Sequence, residues 1–360
     1  MVVQSIGQDD VSRLSSHCLN ITSQNTPDPF FAVANGKFYM TFTGNDRVPL
    51  WEADRLVDFW EDRPRIGPVW RPPPDTPHSA RLWAPELHCI RGRWYVYYAA
   101  MDPKLGNRSH RMYVLGGPPA TADPHAGPWE FLGPIKGMDQ RQWAIDGTVF
   151  ELADKLYFVY SGWSLNRSFE DVREDLQELY IIHLSDPTTA ASNPVCISTP
   201  DCHWERTGAV GINEGPQWLS SPNGQWRGLV YSCGASWTQH YKMALLRLVG
   251  DDPLWAPNWH KSRDPLLQNA SHGEGPFAPG HGCFLQLGED TIALFHATDR
   301  DTDGNQGRKC RMQRVSWTHS GPVMGRYVGR ATRDVQEFLG DQSCGAVLRR
   351  ALLGECASAS

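Results

Sequence analysis

The sequence lacks the features of a membrane protein and of a secretion signal. No stretch approaches the roughly 20 consecutive apolar residues of a membrane-spanning helix. The first residues, MVVQSIGQDD, contain no apolar run of the kind found in signal peptides. We therefore expect a soluble chain that makes no contact with a membrane.

Motifs of several reaction classes are also absent. There is no G-x-x-x-x-G-K-[ST], no G-x-G-x-x-G after a strand, no H-E-x-x-H and no G-x-S-x-G. These absences argue against nucleotide, dinucleotide, zinc-protease and serine-esterase sites. With 34 basic and 40 acidic side chains the net charge is −6, so no nucleic-acid partner is expected.

The cysteines and asparagines bear on the compartment. The nine cysteines include no C-x-x-C, which argues against a zinc or dithiol redox site, and the most plausible local disulfide joins Cys196 and Cys202. Four N-x-S/T sequons favour a secreted glycoprotein, with the cytoplasm as the alternative. The sequons begin at Asn20, Asn107, Asn166 and Asn269.

One pattern recurs along the chain. In each copy a polar, ionisable residue beside Gly or Pro precedes an alternating strand, a Gly, Asn or Asp turn, and a second strand rich in Tyr, Val, Phe or Leu. Each copy therefore predicts a β-hairpin. The five copies are residues 28–42, 85–99, 146–160, 214–232 and 280–296.

Further strands complete each repeat. Additional strand patterns follow four of the hairpins, at residues 111–117, 178–184, 242–249 and 311–317. Four strands in each repeat are typical of a propeller blade. We predict an all-β, five-bladed β-propeller with four-stranded antiparallel blades around a central channel. It forms a single domain over residues 1–330, and residues 331–360 form a packed helix or a disordered tail. The alternative is a β-sandwich.

The repeat has a functional consequence. The first strand of each blade lines the channel of a propeller, so residues at equivalent places converge there. Any one of the leading acids could simply cap a turn, but five coincident positions indicate a site. The leading residues are Asp28, Glu86, Asp146, Glu214 and His281.

Clustered carboxylates favour acid–base chemistry. Apolar neighbours and like charges raise the pKa of a carboxyl, so one acid of the cluster should hold a proton near neutral pH while another is ionised. Glycosidic bond hydrolysis needs such a pair, and 15 tryptophans offer flat faces for sugar rings. The expected apolar neighbours are Phe30, Phe31, Trp83, Ile145, Phe150 and Trp218.

The motifs resemble those of the family 43 glycoside hydrolases over roughly residues 26–325. They are DPF at Asp28, WAPELH from Trp83, AIDGTVF around Asp146, NEGPQ around Glu214 and PGHGCF around His281. The resemblance implies a five-bladed propeller and an inverting mechanism. It makes Asp28 the general base, Glu214 the general acid, and Asp146 the residue that orients the acid and raises its pKa.

The resemblance also implies roles for other positions. Glu86 is structural, and Trp83 helps to shape the sugar subsite. His281 matches the channel histidine that in many members lies near a hydrated Ca²⁺ or another axial ion, and no cofactor is required. Arg308 is the first choice for the arginine that binds the terminal sugar, and Arg311 is the second.

The segments 83–100 and 236–246 look most like exo-acting α-1,5-L-arabinofuranosidases. The resemblance thus implies a monomer that releases L-arabinofuranose from arabinan or arabino-oligosaccharides of plant cell walls. The alternatives are a β-xylosidase, an endo-arabinanase or an exo-galactanase on the same fold. A non-catalytic, glycan-binding propeller is the alternative from another functional class.

Overall fold

The computed structural model describes residues 17–165, 176–270, 274–340 and 344–354. The sequon at Asn166 and most of the acidic insert 167–178 lie outside the described residues. Within them the chain is nearly all β, as predicted, with two short helices at the C-terminal end. No helix of the described part has the length and apolarity that membrane crossing requires.

The strands of the first half form two four-stranded antiparallel sheets, which follow an N-terminal strand. We call these sheets unit 1 (β2 to β5) and unit 2 (β6 to β9). The strands are β1 (His17–Asn20), β2 (Phe30–Ala34), β3 (Lys37–Thr41), β4 (Val48–Ala53), β5 (Arg65–Trp70), β6 (Ala80–Ile90), β7 (Arg93–Met101), β8 (Arg111–Pro119) and β9 (Glu130–Pro134).

The middle of the chain forms two more antiparallel units. Unit 3 comprises β10, β11, β12 and β14, and unit 4 comprises β16, β17, β18 and the short β19 and β20. A short parallel pairing between β12 and β16 joins the two units. The strands are β10 (Ala144–Leu152), β11 (Lys155–Gly162), β12 (Leu176–Asp186), β13 (Thr189–Ala190), β14 (Val195–Ser198), β15 (Arg206–Thr207), β16 (Val210–Ser220), β17 (Arg227–Cys233), β18 (Lys242–Leu248), β19 (Trp259–Lys261) and β20 (Leu267–Gln268).

Unit 5 combines the two ends of the chain. Its strands β21, β22 and β23 are antiparallel neighbours, and β1 supplies the fourth strand by pairing with β23. The remaining elements are β21 (Phe277–Leu287), β22 (Asp290–Thr298), β23 (Lys309–Thr318), β24 (Gly321–Val323), β25 (Arg326–Tyr327), β26 (Arg330–Thr332), α1 (Val335–Leu339) and α2 (Ala346–Leu353).

The five predicted hairpins and the four following strands are confirmed. The hairpins are β2–β3, β6–β7, β10–β11, β16–β17 and β21–β22. Their first strands touch in a cycle: β2 contacts β6, β6 contacts β10, β10 contacts β16, β16 contacts β21, and β21 contacts β2. The first strands therefore lie side by side around one centre.

Bulges interrupt four of the first strands near their starts, and the same spacing occurs just before β2, where the Thr43 N–H donates to the Pro27 carbonyl. In β10, for example, Ile145 pairs with Ser161 and Thr148 with Val159, so three steps on β10 match two on β11. The residue after the first paired position has a left-handed backbone, which only glycine adopts without strain. These residues are Asp28, Ala84, Asp146, Gly215 and His281, with φ of 57°, 41°, 55°, 54° and 48°.

The suggested disulfide between Cys196 and Cys202 is wrong, because all described cysteines are free thiols. The Cys196 thiol lies within the core of unit 3 and is 3.8 Å from the Ser198 carbonyl oxygen. The Cys202 side chain instead caps the short 3-10 helix His203–Glu205. Each side chain is committed to its own local contacts.

The C-terminal helix α2 packs against unit 1, whereas α1 contacts β1 of unit 5. The α2 helix contacts the 3-10 turn Leu56–Phe59, and its Leu348 is fully buried in the core shared by units 1 and 5. Val347, the preceding residue, is 49% exposed. The helix therefore covers an apolar end of this core with one face only.

We expect Leu348→Ala to lower the free energy of unfolding by about 2–5 kcal/mol, because it opens a cavity in a packed core. The matched substitution Val347→Ala should change it by about 0.5 kcal/mol or less, since this side chain is half exposed. Guanidinium chloride unfolding measures both values. Equal losses in the two variants would show that α2 does not cover the core.

Candidate active site

A pocket of about 430 Å³ lies where the bulged starts of the first strands meet. Side chains from all five units line it. All six residues predicted for the site are among them, so the structure brings together Asp28, Trp83, Asp146, Glu214, His281 and Arg308. The parts that these residues take in a reaction stay predictions.

Asp28 is buried and held from several sides. Its Oδ2 accepts a hydrogen bond from the Thr43 hydroxyl (2.6 Å), and its Oδ1 accepts one from Arg308 Nη1 (3.1 Å). The Nδ1 atoms of His296 and His281 lie 3.3 Å and 3.4 Å from Oδ1. The Thr43 hydroxyl and the Arg308 guanidinium therefore both stabilise the negative charge of this carboxylate.

These neighbours decide the ionisation of Asp28. Burial alone would raise its pKa, but the Arg308 charge beside it holds the pKa well below the ordinary value. Asp28 is therefore an ionised carboxylate at neutral pH.

Asp146 and Glu214 are buried carboxyls in the same pocket. The Gly215 backbone N–H donates to Asp146 Oδ2 over 3.1 Å and ties the two strand starts together. Burial and the negative charge of Asp28 raise the pKa of Glu214 from its ordinary 4.5 to about 7. Burial and repulsion from Glu214 and Asp28 raise the pKa of Asp146 well above its ordinary value. Asp146 and Glu214 therefore hold a proton at a pH at which Asp28 is ionised.

His281 lies between two of the acids. Its Nδ1 is 3.4 Å from Asp28 Oδ1 and 3.8 Å from Asp146 Oδ2, and burial lowers its pKa, so the ring is neutral at pH 7. Those carboxylates already accept hydrogen bonds from Arg308, Thr43 and Gly215.

Among the described residues, His281 belongs to no group of three potential metal ligands in close approach. Within the described residues, the group of potential metal ligands that approach one another closely is Asp201, Cys202 and Glu205. That group is already bound by the Lys261 ammonium, at 2.7 Å from Asp201 and 2.8 Å from Glu205.

Glu86 corrects the expectation that five leading residues occupy equivalent positions. The bulge pairings place Glu86 opposite Tyr97 and Gln217 opposite Val230, so Glu86 is equivalent to Gln217 and lies two residues beyond the left-handed Ala84. Its carboxylate accepts a hydrogen bond from the Gln217 amide and lies 2.7 Å from His88 Nε2. Glu86 is buried beyond the pocket lining and links β6 to β16.

The apolar surroundings differ from the expected set. Trp83 and Ile145 line the pocket, and Trp83 stacks on the buried ring of His110 with 3.9 Å between centroids. The stacked pair Trp143 and Trp163, 4.8 Å apart, adds a second aromatic wall that sequence reasoning missed.

The other four aromatic residues expected around the acids lie elsewhere. Phe31 belongs to the core between units 1 and 5, and Phe30 lies against His88 with 4.8 Å between centroids. Phe150 and Trp218 stack on each other between units 3 and 4, with centroids 4.1 Å apart. They lie farther along their strands than the bulges, which explains their distance from the pocket.

The two candidate arginines differ in position. Arg308 reaches the pocket and pairs with Asp28. Arg311 is 1% exposed, does not line the pocket, and binds Asp299 and the Asn20 side chain. The first choice for a sugar-binding arginine thus has access to a ligand, and the second does not.

Several supporting residues escaped sequence reasoning. Thr43 and His296 hold Asp28, and both lie near the end of the second strand of a hairpin, opposite the start of the bulge. Ser161 and Ser232 occupy the same place in units 3 and 4. Alignment of the second strands would have shown hydroxyls at three of the five positions, and this signal was available.

The sequence of the chain matches the model of a known protein family. The family model described as glycosyl hydrolases family 43 matches residues 20–323. The chain belongs to family 43 of the glycosyl hydrolases. This result agrees with the resemblance noted in the motifs.

Family 43 relatives resemble the chain over most of its length. It is 32% identical over 302 residues to alpha-L-arabinofuranosidase 43 of Humicola insolens, covering 80% of this chain and 58% of that protein. It is 29% identical over 316 residues to an extracellular exo-alpha-(1->5)-L-arabinofuranosidase of Streptomyces avermitilis, covering 84% and 62% respectively. The chain therefore spans about 60% of the length of these two relatives.

A solved structure has a similar fold. The alpha-L-arabinofuranosidase from Lactobacillus brevis superposes with a TM-score of 0.73 at 28% identity. The match covers 85% of this chain and 95% of that chain. The folds agree over nearly the whole of the neighbour.

The raised pKa of Glu214 predicts a pH-dependent cost in stability. Between pH 4.5 and about 7 the folded chain holds a proton that the unfolded chain has lost, so the free energy of unfolding falls as pH rises. Glu214→Gln removes this effect. Its stability relative to wild type should improve by roughly 3 kcal/mol between pH 4.5 and pH 8.

Denaturant unfolding at the two pH values measures this difference. Glu274→Gln is the control, since Glu274 lies in an exposed loop. If wild type and Glu214→Gln show the same pH dependence, Glu214 is not the group that holds the proton.

Proposed function

We propose that the chain is an inverting glycoside hydrolase in which Asp28 is the general base and Glu214 the general acid. The observation that carries this proposal is the opposite shift of two buried carboxyls in one pocket. The pKa of Asp28 is well below its ordinary value, and that of Glu214 is raised to about 7. An ionised base and a protonated acid are the pair that glycoside hydrolysis requires.

The proposed reaction is a single displacement. Glu214 gives its proton to the glycosidic oxygen as the bond from that oxygen to the anomeric carbon breaks. A water molecule attacks the anomeric carbon from the opposite face and gives a proton to Asp28. The products are a sugar of inverted configuration and a shortened alcohol, and proton exchange with solvent restores both carboxyls.

Asp146 and Arg308 support the two reacting groups in this proposal. Asp146 binds the Gly215 N–H, next to the acid, and places a second carboxyl beside Glu214. Repulsion between the two carboxyls disfavours ionisation of both, so the pair holds a proton near neutral pH. Arg308 stabilises the ionised form of Asp28 and offers its remaining N–H groups to sugar hydroxyls.

We infer that the sugar released is a terminal L-arabinofuranose from α-1,5-linked arabinan or arabino-oligosaccharides. The Streptomyces and Humicola relatives are both named as arabinofuranosidases, and this supports the proposed substrate. Side chains from five units enclose the pocket, among them Asn45, Arg81 and Trp163, and such walls favour one terminal sugar over a long chain. The proposed role of Trp83 is to form part of this wall.

The alternatives on the same fold are a β-xylosidase, an endo-arabinanase and an exo-galactanase. Solved structures titled endo-arabinase and xylan β-1,4-xylosidase match at 15% identity each, with TM-scores of 0.63, so they bear on the fold alone. A non-catalytic, glycan-binding protein stays the alternative of a different class.

The proposed architecture is a five-bladed propeller whose blades are units 1 to 5. The cyclic contacts of the first strands support it, as does β1, which completes unit 5 from the other end of the chain. We propose one catalytic domain over residues 1–330 and a C-terminal tail over residues 331–360, whose described helices α1 and α2 contact the domain.

We further propose a secreted monomer that needs no cofactor. The word extracellular in the names of two Streptomyces relatives supports secretion. The donor set of the pocket supports acid–base catalysis by carboxyls alone, with His281 as a neutral sugar-binding side chain. A hydrated axial ion near His281 is compatible with this mechanism and takes no part in it.

The test is hydrolysis of linear α-1,5-arabinan followed by time-resolved proton NMR. We expect monomeric arabinose, released first as the β anomer, because an inverting enzyme cleaves an α linkage. Asp28→Asn and Glu214→Gln should each lower kcat by on the order of 10² to 10⁴, and Glu274→Gln is the matched control on an exposed acid.

Each other outcome points to one alternative. The α anomer as first product contradicts inversion, and oligomeric products contradict exo action. Xylose or galactose from the corresponding oligosaccharides, with no arabinose from arabinan, overturns the substrate. Undetectable hydrolysis by wild type and Glu214→Gln alike favours a binding protein.

A further inference from the structure

His296 lies in the interior of the molecule and touches the carboxylate that we propose as the base. It is fully buried on β22, where its backbone pairs with Gly280. The Asp28 backbone N–H donates to His296 Nδ1 over 3.1 Å, and the same nitrogen lies 3.3 Å from Asp28 Oδ1. One imidazole nitrogen therefore faces both the backbone and the carboxylate of Asp28.

The direction of this hydrogen bond assigns the tautomer of the ring. A backbone amide can only donate, so Nδ1 of His296 must present its lone pair and the ring proton must sit on Nε2. Within the described residues Nε2 is buried and has no hydrogen-bond partner. A second proton on the ring would therefore compete with the Asp28 amide for Nδ1.

The plane of the ring is held by its neighbours. Tyr241 stacks on His296 with 5.6 Å between centroids and 7° between planes, and the His281 ring lies on another side at 6.3 Å. His296 thus presents its nitrogen from a packed and rigid position.

Asp28 needs such support because its backbone is strained. Its φ of 57° lies in the left-handed region, which residues other than glycine adopt at a cost in free energy. A buried N–H without a hydrogen-bond partner would add to that cost. The hydrogen bond to His296 gives this N–H a partner and helps to hold the left-handed backbone of Asp28.

The equivalent places in other units show what is particular to His296. The Ala84 N–H donates to the Thr43 hydroxyl (2.8 Å), and the His281 N–H donates to the Ser232 hydroxyl (2.7 Å). Each acceptor belongs to the preceding unit of the cycle, where it lies opposite the bulge of that unit. At Asp28 the acceptor is an imidazole nitrogen instead of a hydroxyl oxygen.

We propose that His296 is a positioning residue, a neutral hydrogen-bond acceptor that fixes the backbone of Asp28 and thereby aims its carboxylate at the attacking water. This inference rests on the proposed function, since it assigns the support of the proposed base. A carboxylate displaced by about 1 Å can lose on the order of 10² in rate.

The kinetic test compares two substitutions that differ in one acceptor atom. His296→Asn places an amide oxygen near the position of Nδ1, whereas His296→Leu has a similar volume and no acceptor. On an aryl α-L-arabinofuranoside we expect His296→Leu to lose about 10² in kcat with little change in KM. His296→Asn should stay within about tenfold of wild type, because it restores the acceptor for the Asp28 amide.

His125→Gln is the matched control, a substitution of a buried imidazole outside the pocket. It should lower the melting temperature and leave kcat near that of wild type. Equal losses of kcat in folded His296→Leu and His296→Asn would overturn the proposal, as would a rise in KM at constant kcat. If His296→Leu does not fold, a loss of more than about tenfold in folded His296→Asn overturns it.

A second measurement separates this proposal from the proposed function. Nitrogen-15 NMR of the histidine rings in wild type at pH 7 reports the tautomer without any substrate. We expect His296 to be neutral, with its proton on Nε2 and Nδ1 free to accept. A proton on Nδ1 overturns the role of His296, whereas wild type that leaves arabinofuranosides intact overturns the proposed function alone.

Discussion

The site depends on an extra residue that bulges the chain where each first strand begins. The extra residue forces a left-handed backbone at Asp28, Asp146 and His281, and it turns these side chains toward a common centre. In β16 the left-handed residue is Gly215, and the carboxyl in the pocket belongs to Glu214, the residue before it. The same bulge in five units therefore presents different chemistry from slightly different places.

Burial then gives the carboxyls different ionisation states. Asp28 has the charge of Arg308 and hydrogen bonds from Thr43 and its neighbours, which outweigh the cost of burial. Glu214 and Asp146 are equally buried and lie beside negative charge, so their pKa values rise. Identical functional groups thus become a base and an acid because of what surrounds them. The strained bulges and the buried carboxyls of Glu214 and Asp146 lower the stability of the folded chain. The packed cores between the units offset that loss.

Much of this arrangement could be predicted from the sequence. The alternation of apolar residues and the Gly, Asn and Asp turns are local signals, and they located all five hairpins. The leading acids could be recognised because ionisable residues are unusual beside the start of a buried strand. Bulges carry no such signal, so Glu86 was aligned with Asp28 although it lies two residues deeper and binds Gln217. Phe150 and Trp218 were misplaced for the same reason, and Trp163 and His296 reach the site through long-range packing that local patterns do not encode.

The central claim is that one pocket holds an ionised Asp28 and a protonated Glu214 in the free protein. Carbon-13 NMR of side-chain carboxyls, with assignment through Asp28→Asn and Glu214→Gln, measures both states directly. The account predicts that at pH 6 Glu214 is protonated and titrates near pH 7, while Asp28 stays ionised down to below pH 3.8. Ionisation of both Asp28 and Glu214 at pH 6, or a proton on Asp28 instead of Glu214, would contradict it.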